Sequence, residues 1–327
     1  PRLHEFIQEM HQQVMAKYDC MTVGEAPGST PEIARLFTDP ERKELDMIFT
    51  FEHMNIDRIP GNVNRKWALK PFQLSELKRV MSNWQLKLYG HGWNALYFEN
   101  HDQPRIISRW GNDEKYREVC AKAYATVLHG MQGTPYIYQG EEIGMTNIHL
   151  PLEEYEDIEV KNAYQELVVN GKTISEEAFK QAVWNKSRDN GRTPMQWDDT
   201  EHAGFTSGEP WFAVNPRYKE INVKRALEDQ NSIFYYYKKL IELRHTEPLL
   251  TEGAYELLLP ESEEIFAYLR TTAQEQWLVA ANLSEKEVRV PELCPYINAC
   301  REVKICNYEG QPDETFRPYE AFMIQIK

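Results

Sequence analysis

The chain has 327 residues, 42% of them hydrophobic and 27% charged, enough for a large α/β domain with an appendage. Its 51 acidic side chains against 37 basic ones leave a net charge of −14, which argues against a nucleic-acid partner, because phosphate neutralisation needs clustered Lys and Arg. No stretch approaches the ~20 apolar residues of a membrane span, so no membrane partner is expected.

Apolar residues Leu3, Phe6, Ile7, Met10 and Val14 recur at helical spacing. Residues 20–23 then read as a short buried strand ending at Gly24-Glu25. After a Pro/Gly turn and a charged helix, residues 47–51 form a second strand. Leu74, Leu77, Met81, Trp84 and Leu88 mark a helix, followed by a strand at 95–98. Tyr116, Val119, Cys120, Ala123 and Val127 mark another helix, followed by a strand at 136–138. This alternation predicts an α/β fold with a parallel sheet. Four strands with chemistry-bearing residues at their carboxyl ends suggest half of an eight-stranded barrel. Residues 141–225 are polar, break the rhythm, and read as an insertion over the active-site face. A strong helix follows, with Ile233, Tyr236, Tyr237, Leu240 and Ile241 on one face. From about Leu249 short strands at 255–259, 265–270, 277–282, 302–306 and 321–326 alternate with polar turns, as in a small antiparallel β-sandwich. The expected division is therefore 1–248 and 249–327.

Five cysteines (Cys20, Cys120, Cys294, Cys300 and Cys306) make an odd set without CxxC spacing, and the last three have no nearby His. They read as reduced thiols rather than metal ligands, which suits a cytoplasmic location. The sequence opens at Pro1 without an initiator Met or signal peptide, so the true amino terminus is expected upstream. The 18 Tyr, 13 Phe and 8 Trp suit sugar stacking or, equally, a large core.

Two segments carry candidate chemistry. Glu25, beside Gly24 in MTVGEAPG, sits where the carboxyl end of a barrel strand would present a general acid. A surface or helix-capping Glu reads equally well from this segment alone. In ENHDQPR, residues 99–105, His101 and Asp102 follow a strand and could bond vicinal sugar hydroxyls, with Asp102 favouring positive charge on an oxocarbenium-like sugar ring. A structural turn with Arg105 as an ion-pair partner is the alternative. Metal ligation by His101 and Asp102 lacks a third ligand at useful spacing.

MTVGEAPG, FTFEHMNID, YFENHDQPRIISRWGND, GTPYIYQGEEIGMTN and RDNGRTPMQWDDTEHAGFTSGEPW occur in that order. Together they closely resemble glycoside hydrolase family 13, in the branch of oligo-1,6-glucosidases and related α-glucosidases. The likeness runs through all 327 residues. The resemblance implies the second half of a TIM (β/α)8 barrel followed by the β-sandwich. It makes Glu25 the acid/base on the fifth strand and Asp102 the transition-state stabiliser on the seventh. His101, Arg192 and Glu159 become substrate-binding residues, Glu159 facing the leaving sugar, while Arg105 and Arg188 hold loops by ion pairs. Phe51 is a candidate for the sugar-facing wall or the barrel core.

The family's nucleophilic aspartate, on the fourth strand, would precede Pro1, as would its calcium-binding loop; no cofactor is expected within the chain. Phe98-Glu99 stands where tryptophan and asparagine are usual, and Ala26 where methionine is common, which bears on linkage preference. The implied activity is that of a retaining, exo-acting α-glucosidase on short α-1,6- or α-1,4-linked oligosaccharides. Without its missing amino-terminal barrel half, the chain alone is expected to be inactive. Trehalose-6-phosphate hydrolases and sucrose isomerases share the scaffold. A non-catalytic binding subunit is the alternative of another class.

Overall fold

A computed structural model of the chain describes residues 2–327. Helix α1 (Leu3–Gln13) forms where the 3.6-residue period predicts it. Ile7 leans on the core, whereas Leu3, Phe6, Met10 and Val14 stay exposed. Next come β1 (Val23–Glu25), α2 (Pro31–Thr38), β2 (Met47–Phe49), α3 (Leu74–Leu88) and β3 (Asn94–Leu96). They are followed by α4 (Ile106–Arg109), α5 (Arg117–His129) and β4 (Thr134–Pro135). The four strands pair in chain order, all parallel, with Val23 opposite Met47, Ile48 opposite Asn94 and Ala95 opposite Thr134. Parallel neighbours need crossovers, and α2, α3 and α5 supply them. Thr30 caps α2 by accepting the Ile33 N–H (3.4 Å), and Pro31 opens its first turn, where a missing N–H costs nothing.

Two strand expectations are corrected. Pairing begins at Val23, and Cys20 and Met21 are exposed rather than buried, because the first strand lies at the edge of the described sheet with β2 as its one neighbour. The fourth strand pairs at Thr134–Pro135, ahead of the expected 136–138. Tyr136 N–H still donates to Leu96 O (2.7 Å), after which the chain turns away through Gly140, whose φ of +91° favours glycine.

Residues 141–225 contain α6 (Ile158–Ala163), a π-helical segment (Tyr164–Asn170), α7 (Glu176–Lys186) and the start of α8 (Val223–Glu228). Ile148, Tyr155, Val160, Leu167, Phe179 and Val183 form an apolar cluster of their own, closed by Trp67 from the β2–α3 connection. The segment is also tied down by charge. Asp57 pairs with Arg109 of α4 (2.7 Å) and Lys186 of α7 (3.3 Å), all three nearly inaccessible to solvent.

After α9 (Ile233–Thr246) come β5 (Ala254–Leu258), β6 (Ile265–Thr271), β7 (Gln276–Asn282), β8 (Val288–Arg289), β9 (Glu302–Cys306), β10 (Thr315–Phe316) and β11 (Ala321–Gln325). Five form an antiparallel sheet in the order β5-β6-β7-β11-β9, and β8 pairs with β10. Strand alternation divides two cores. Phe266 and Tyr268 of β6 face the apolar cluster that runs through α3, α5 and α9. Ile265, Ala267 and Leu269 face a second cluster with Leu293 and Phe316. Polar side chains fasten the two sheets' surroundings together. Lys78 of α3, fully buried, donates to the carbonyls of Leu259 (2.6 Å), Ser262 (2.6 Å) and Ile265 (3.1 Å). Arg270 donates to Gly130 O (2.6 Å) and Gly253 O (2.7 Å), meeting carbonyls that burial would otherwise leave unpaired.

Candidate active site

Glu25 ends β1, and the residues following β2, β3 and β4 emerge at the same, carboxyl end of the sheet. There Glu25, Phe49, Tyr97, His101, Tyr136 and Tyr138 line a cavity of about 330 Å³, with Glu99 and Asn100. Phe49 packs edge-on against Tyr97 (5.4 Å between centroids) and Tyr136 (4.6 Å), so its wall is aromatic. Tyr97 donates its hydroxyl to Thr50 O (2.7 Å). Burial, and then the nearby Glu25 charge, push the phenol pKa up, which keeps it neutral. His53 bonds Tyr97 O through Nε2 (2.9 Å), and burial lowers its pKa to about 4, so it too is neutral.

Asp102 is presented by a turn in which Asn100 Oδ1 accepts the Asp102 N–H (2.7 Å). Arg192 grips the same turn twice, donating Nη2–H to Asp102 Oδ1 (2.6 Å) and Nε–H to His101 O (2.9 Å). Arg188 Nη1 lies 3.6 Å from the same Asp102 oxygen. Its main partner is Asp157, which it engages through two nitrogens (2.7 and 2.5 Å), a bidentate pair that raises the Arg188 pKa. Burial opposes ionisation of Asp157, yet the hydrogen bonds from Arg188 prevail and hold its pKa low. Glu159 sits 3.5 Å from Arg188 Nε and 2.5 Å from Lys66 Nζ. Burial pulls the Lys66 pKa down, with Glu159 working against that.

Glu25 and His101 therefore meet on one cavity, and Arg192 reaches over from the 141–225 segment to Asp102. Glu159 joins through Arg188 rather than by lining the cavity. Phe51 stands 6.1 Å from Tyr97, outside the lining. Arg105 and Arg188 both make the expected ion pairs. The sequence reading missed the second guanidinium beside Asp102, the role of Tyr97, and Lys66. RDNGR did carry two arginines four apart, but the Lys66 loop had no signal, since its partner lies 93 residues away. Among the described residues no three His, Cys, Asp or Glu side chains are grouped to hold a metal ion.

A family model described as the alpha amylase catalytic domain matches residues 1–253. The chain belongs to the alpha-amylase family. Within that family it is 58% identical, over its whole length, to an oligo-1,6-glucosidase of Heyndrickxia coagulans, of which it covers 58%. The crystal structure of a Bacillus licheniformis trehalose-6-phosphate hydrolase matches with a TM-score of 0.91 and 45% identity, over 99% of this chain and 59% of that one. An isomaltulose synthase from Klebsiella sp. LX3 matches with a TM-score of 0.93 and 40% identity, over all of this chain and 59% of that one. The chain thus spans somewhat over half the length of these alpha-amylase-family relatives. Its fold is the carboxyl-terminal half of a (β/α)8 barrel followed by a small antiparallel β structure.

Proposed function

We propose that the chain supplies the second half of the active site of a retaining, exo-acting α-glucosidase acting on short α-1,6- or α-1,4-linked glucosides. In this reading residues 1–248 belong to the catalytic barrel and 249–327 to an accessory β domain. The observation that carries it is the convergence of Glu25 and the Asp102 turn on one aromatic-walled cavity at the carboxyl end of parallel strands, where barrel enzymes do their chemistry. Glu25 protonates the leaving oxygen and later takes a proton from water. Asp102 faces the ring as positive charge develops there. Arg192 orients Asp102, and His101 meets sugar hydroxyls. Glu159, held by Lys66, stands toward the leaving sugar. The attacking carboxylate comes from the portion that the relatives have and this chain does not span, so the chain alone should not turn over.

Neutral substrates are favoured over phosphorylated ones. Lys66 is taken up by Glu159, and Arg188 by Asp157 and Glu159, so these cations already have carboxylate partners. The five free cysteines support a reducing compartment, the cytoplasm. The test is to join the chain to the amino-terminal portion and assay isomaltose, maltose, sucrose and trehalose 6-phosphate, following the product anomer by NMR. Release of α-glucose from isomaltose or maltose is expected. Preference for the phosphorylated sugar, or release of the β-anomer, would overturn the reading.

A further inference from the structure

Behind the Asp102 turn lies a cluster of charge that takes no direct part in the chemistry above. Glu99, Arg105 and Glu141 are 3%, 1% and 5% exposed. Glu99 spans its own loop: Oε1 accepts the Ile106 N–H (2.9 Å) and Oε2 pairs with Arg105 Nη1 (3.1 Å). The Asn100-His101-Asp102 turn is enclosed between those two attachments. Arg105 Nη1 also donates to Gln139 O (2.7 Å), and its guanidinium lies 5.2 Å from the Tyr138 ring centroid. Tyr138 in turn lines the cavity and donates its hydroxyl to Gly191 O (2.7 Å), next to Arg192, which returns to Asp102. Contacts therefore close a ring from Glu99 through Arg105, Tyr138 and Arg192 back to Asp102.

Glu141 supports the same ring from below. Its Oε2 accepts the Tyr138 N–H (3.1 Å) and its Oε1 bonds the Tyr237 hydroxyl (2.7 Å). Only one of these two buried carboxylates has a guanidinium partner. Among the described residues no cation forms an ion pair with Glu141, and Glu99 pairs with Arg105. The other ionisable groups around Glu141 are Glu142, which accepts the Gly140 N–H, and Tyr237. His129 lies against Tyr237 and is neutral, and Arg117 donates to the carbonyls of Ile143 and Gly144. An unpaired buried carboxylate is strongly disfavoured, so one proton completes the cluster.

We propose that Glu99, Arg105 and Glu141 form a buried positioning clamp for the Asp102 turn, in which the guanidinium serves Glu99 and one proton serves the pair of carboxylates. This deepens the reading of Asp102 given above and rests on it for its effect on turnover. The proton resides chiefly on Glu141, whose pKa is pushed up to about 8 by burial and then by Glu99. Burial raises the Glu99 pKa as well, while the charge of Arg105 and the Ile106 N–H work to keep that carboxyl ionised. Loss of the proton sets two buried carboxylates against each other and loosens Tyr138, and through Gly191 and Arg192 the aim of Asp102.

The test is spectroscopic first. In the full chain carrying ¹³C-labelled glutamate, infrared difference spectra should show a protonated-carboxyl band at neutral pH that vanishes near pH 8. Glu141→Gln should lack the band. Glu99→Gln should move its disappearance down by about one pH unit or more, because the Glu99 charge that raises the Glu141 pKa is then gone. Should Glu99→Gln fail to fold, Glu99→Asn serves in its place. Absence of the band at neutral pH, or its indifference to residue 99, would overturn the shared proton. In the completed enzyme, kcat should fall about tenfold per pH unit above the same pH with KM little changed, and Glu141→Gln should abolish that limb. Persistence of the limb in Glu141→Gln would overturn the positioning role. Failure to hydrolyse any α-glucoside would instead count against the functional reading, since the band needs no substrate.

Discussion

Replacing Asp57 by Ala should destabilise the protein by about 3–5 kcal/mol, the cost of removing one partner from a buried ion pair. Asp57 is 2% exposed and receives Arg109 Nε (2.7 Å), Arg109 Nη2 (2.8 Å) and Trp110 Nε1 (3.0 Å), with Lys186 Nζ at 3.3 Å. The substitution strands two cations whose side chains are each only 4% exposed. A second estimate comes from proton linkage. Burial raises the Asp57 pKa, but the hydrogen bonds and charge of Arg109 outweigh it and bring the value from 3.8 to about 2. A depressed carboxylate stabilises the fold above its unfolded pKa, and that stability is lost as pH falls from about 4 through 2. The drop is ~1.8 units, or roughly 2.4 kcal/mol. The mutational figure is the larger because it also leaves Arg109 and Lys186 unpaired. Urea unfolding of the full-length protein at neutral pH, followed by tryptophan fluorescence, measures the effect. Asp57→Ala with Arg109→Met and Lys186→Met should recover much of the loss. A change under about 1 kcal/mol for Asp57→Ala alone would refute the reasoning.

Lys78→Met keeps the buried stem but takes the ammonium from three carbonyls, of which Leu259 O keeps the Ser262 N–H, and should cost about 2–3 kcal/mol, read from the urea midpoint. Gly133→Ala should cost at least about 2 kcal/mol in the same assay, because φ is +137° and the new Cβ would lie 2.5 Å from Asn94 O. Glu141 should make stability fall with alkali: its folded pKa, raised from 4.5 to about 8, gives stability fully present below 4.5 and lost as pH rises through 8. The ceiling is on the order of 5 kcal/mol, and urea midpoints against pH should flatten over that window in Glu141→Gln.

The parallel sheet was legible because its strands are apolar runs separated by helices of clear period, as Leu74 through Leu88 and Cys120 through Val127 illustrate. The errors fell at sheet margins. Cys20 and Met21 look buried in a window of sequence, but burial depends on neighbours that no local pattern reveals. Glu25, His101 and Asp102 stand out in short motifs whose chemistry is local, whereas Arg192 is singled out only by the family resemblance. The Lys66–Glu159 pair and the meeting of Glu99 with Glu141 join distant segments, so only the fold brings them together. Charge count did not betray the buried cluster either, because one acidic side chain among 51 says nothing of where it lies.

The most direct test of the central claim is the Glu25→Gln variant of the completed enzyme on two kinds of substrate. If Glu25 is the acid/base, hydrolysis of isomaltose, whose leaving oxygen needs a proton, should fall by about 10²–10⁴-fold. Formation of the glycosyl-enzyme from an aryl α-glucoside with an anionic leaving group should change far less. Azide should then raise turnover of that substrate by replacing the base-assisted water, giving an α-glucosyl azide. Equal losses on both substrates with no response to azide would contradict the assignment of Glu25, and with it the account of this site.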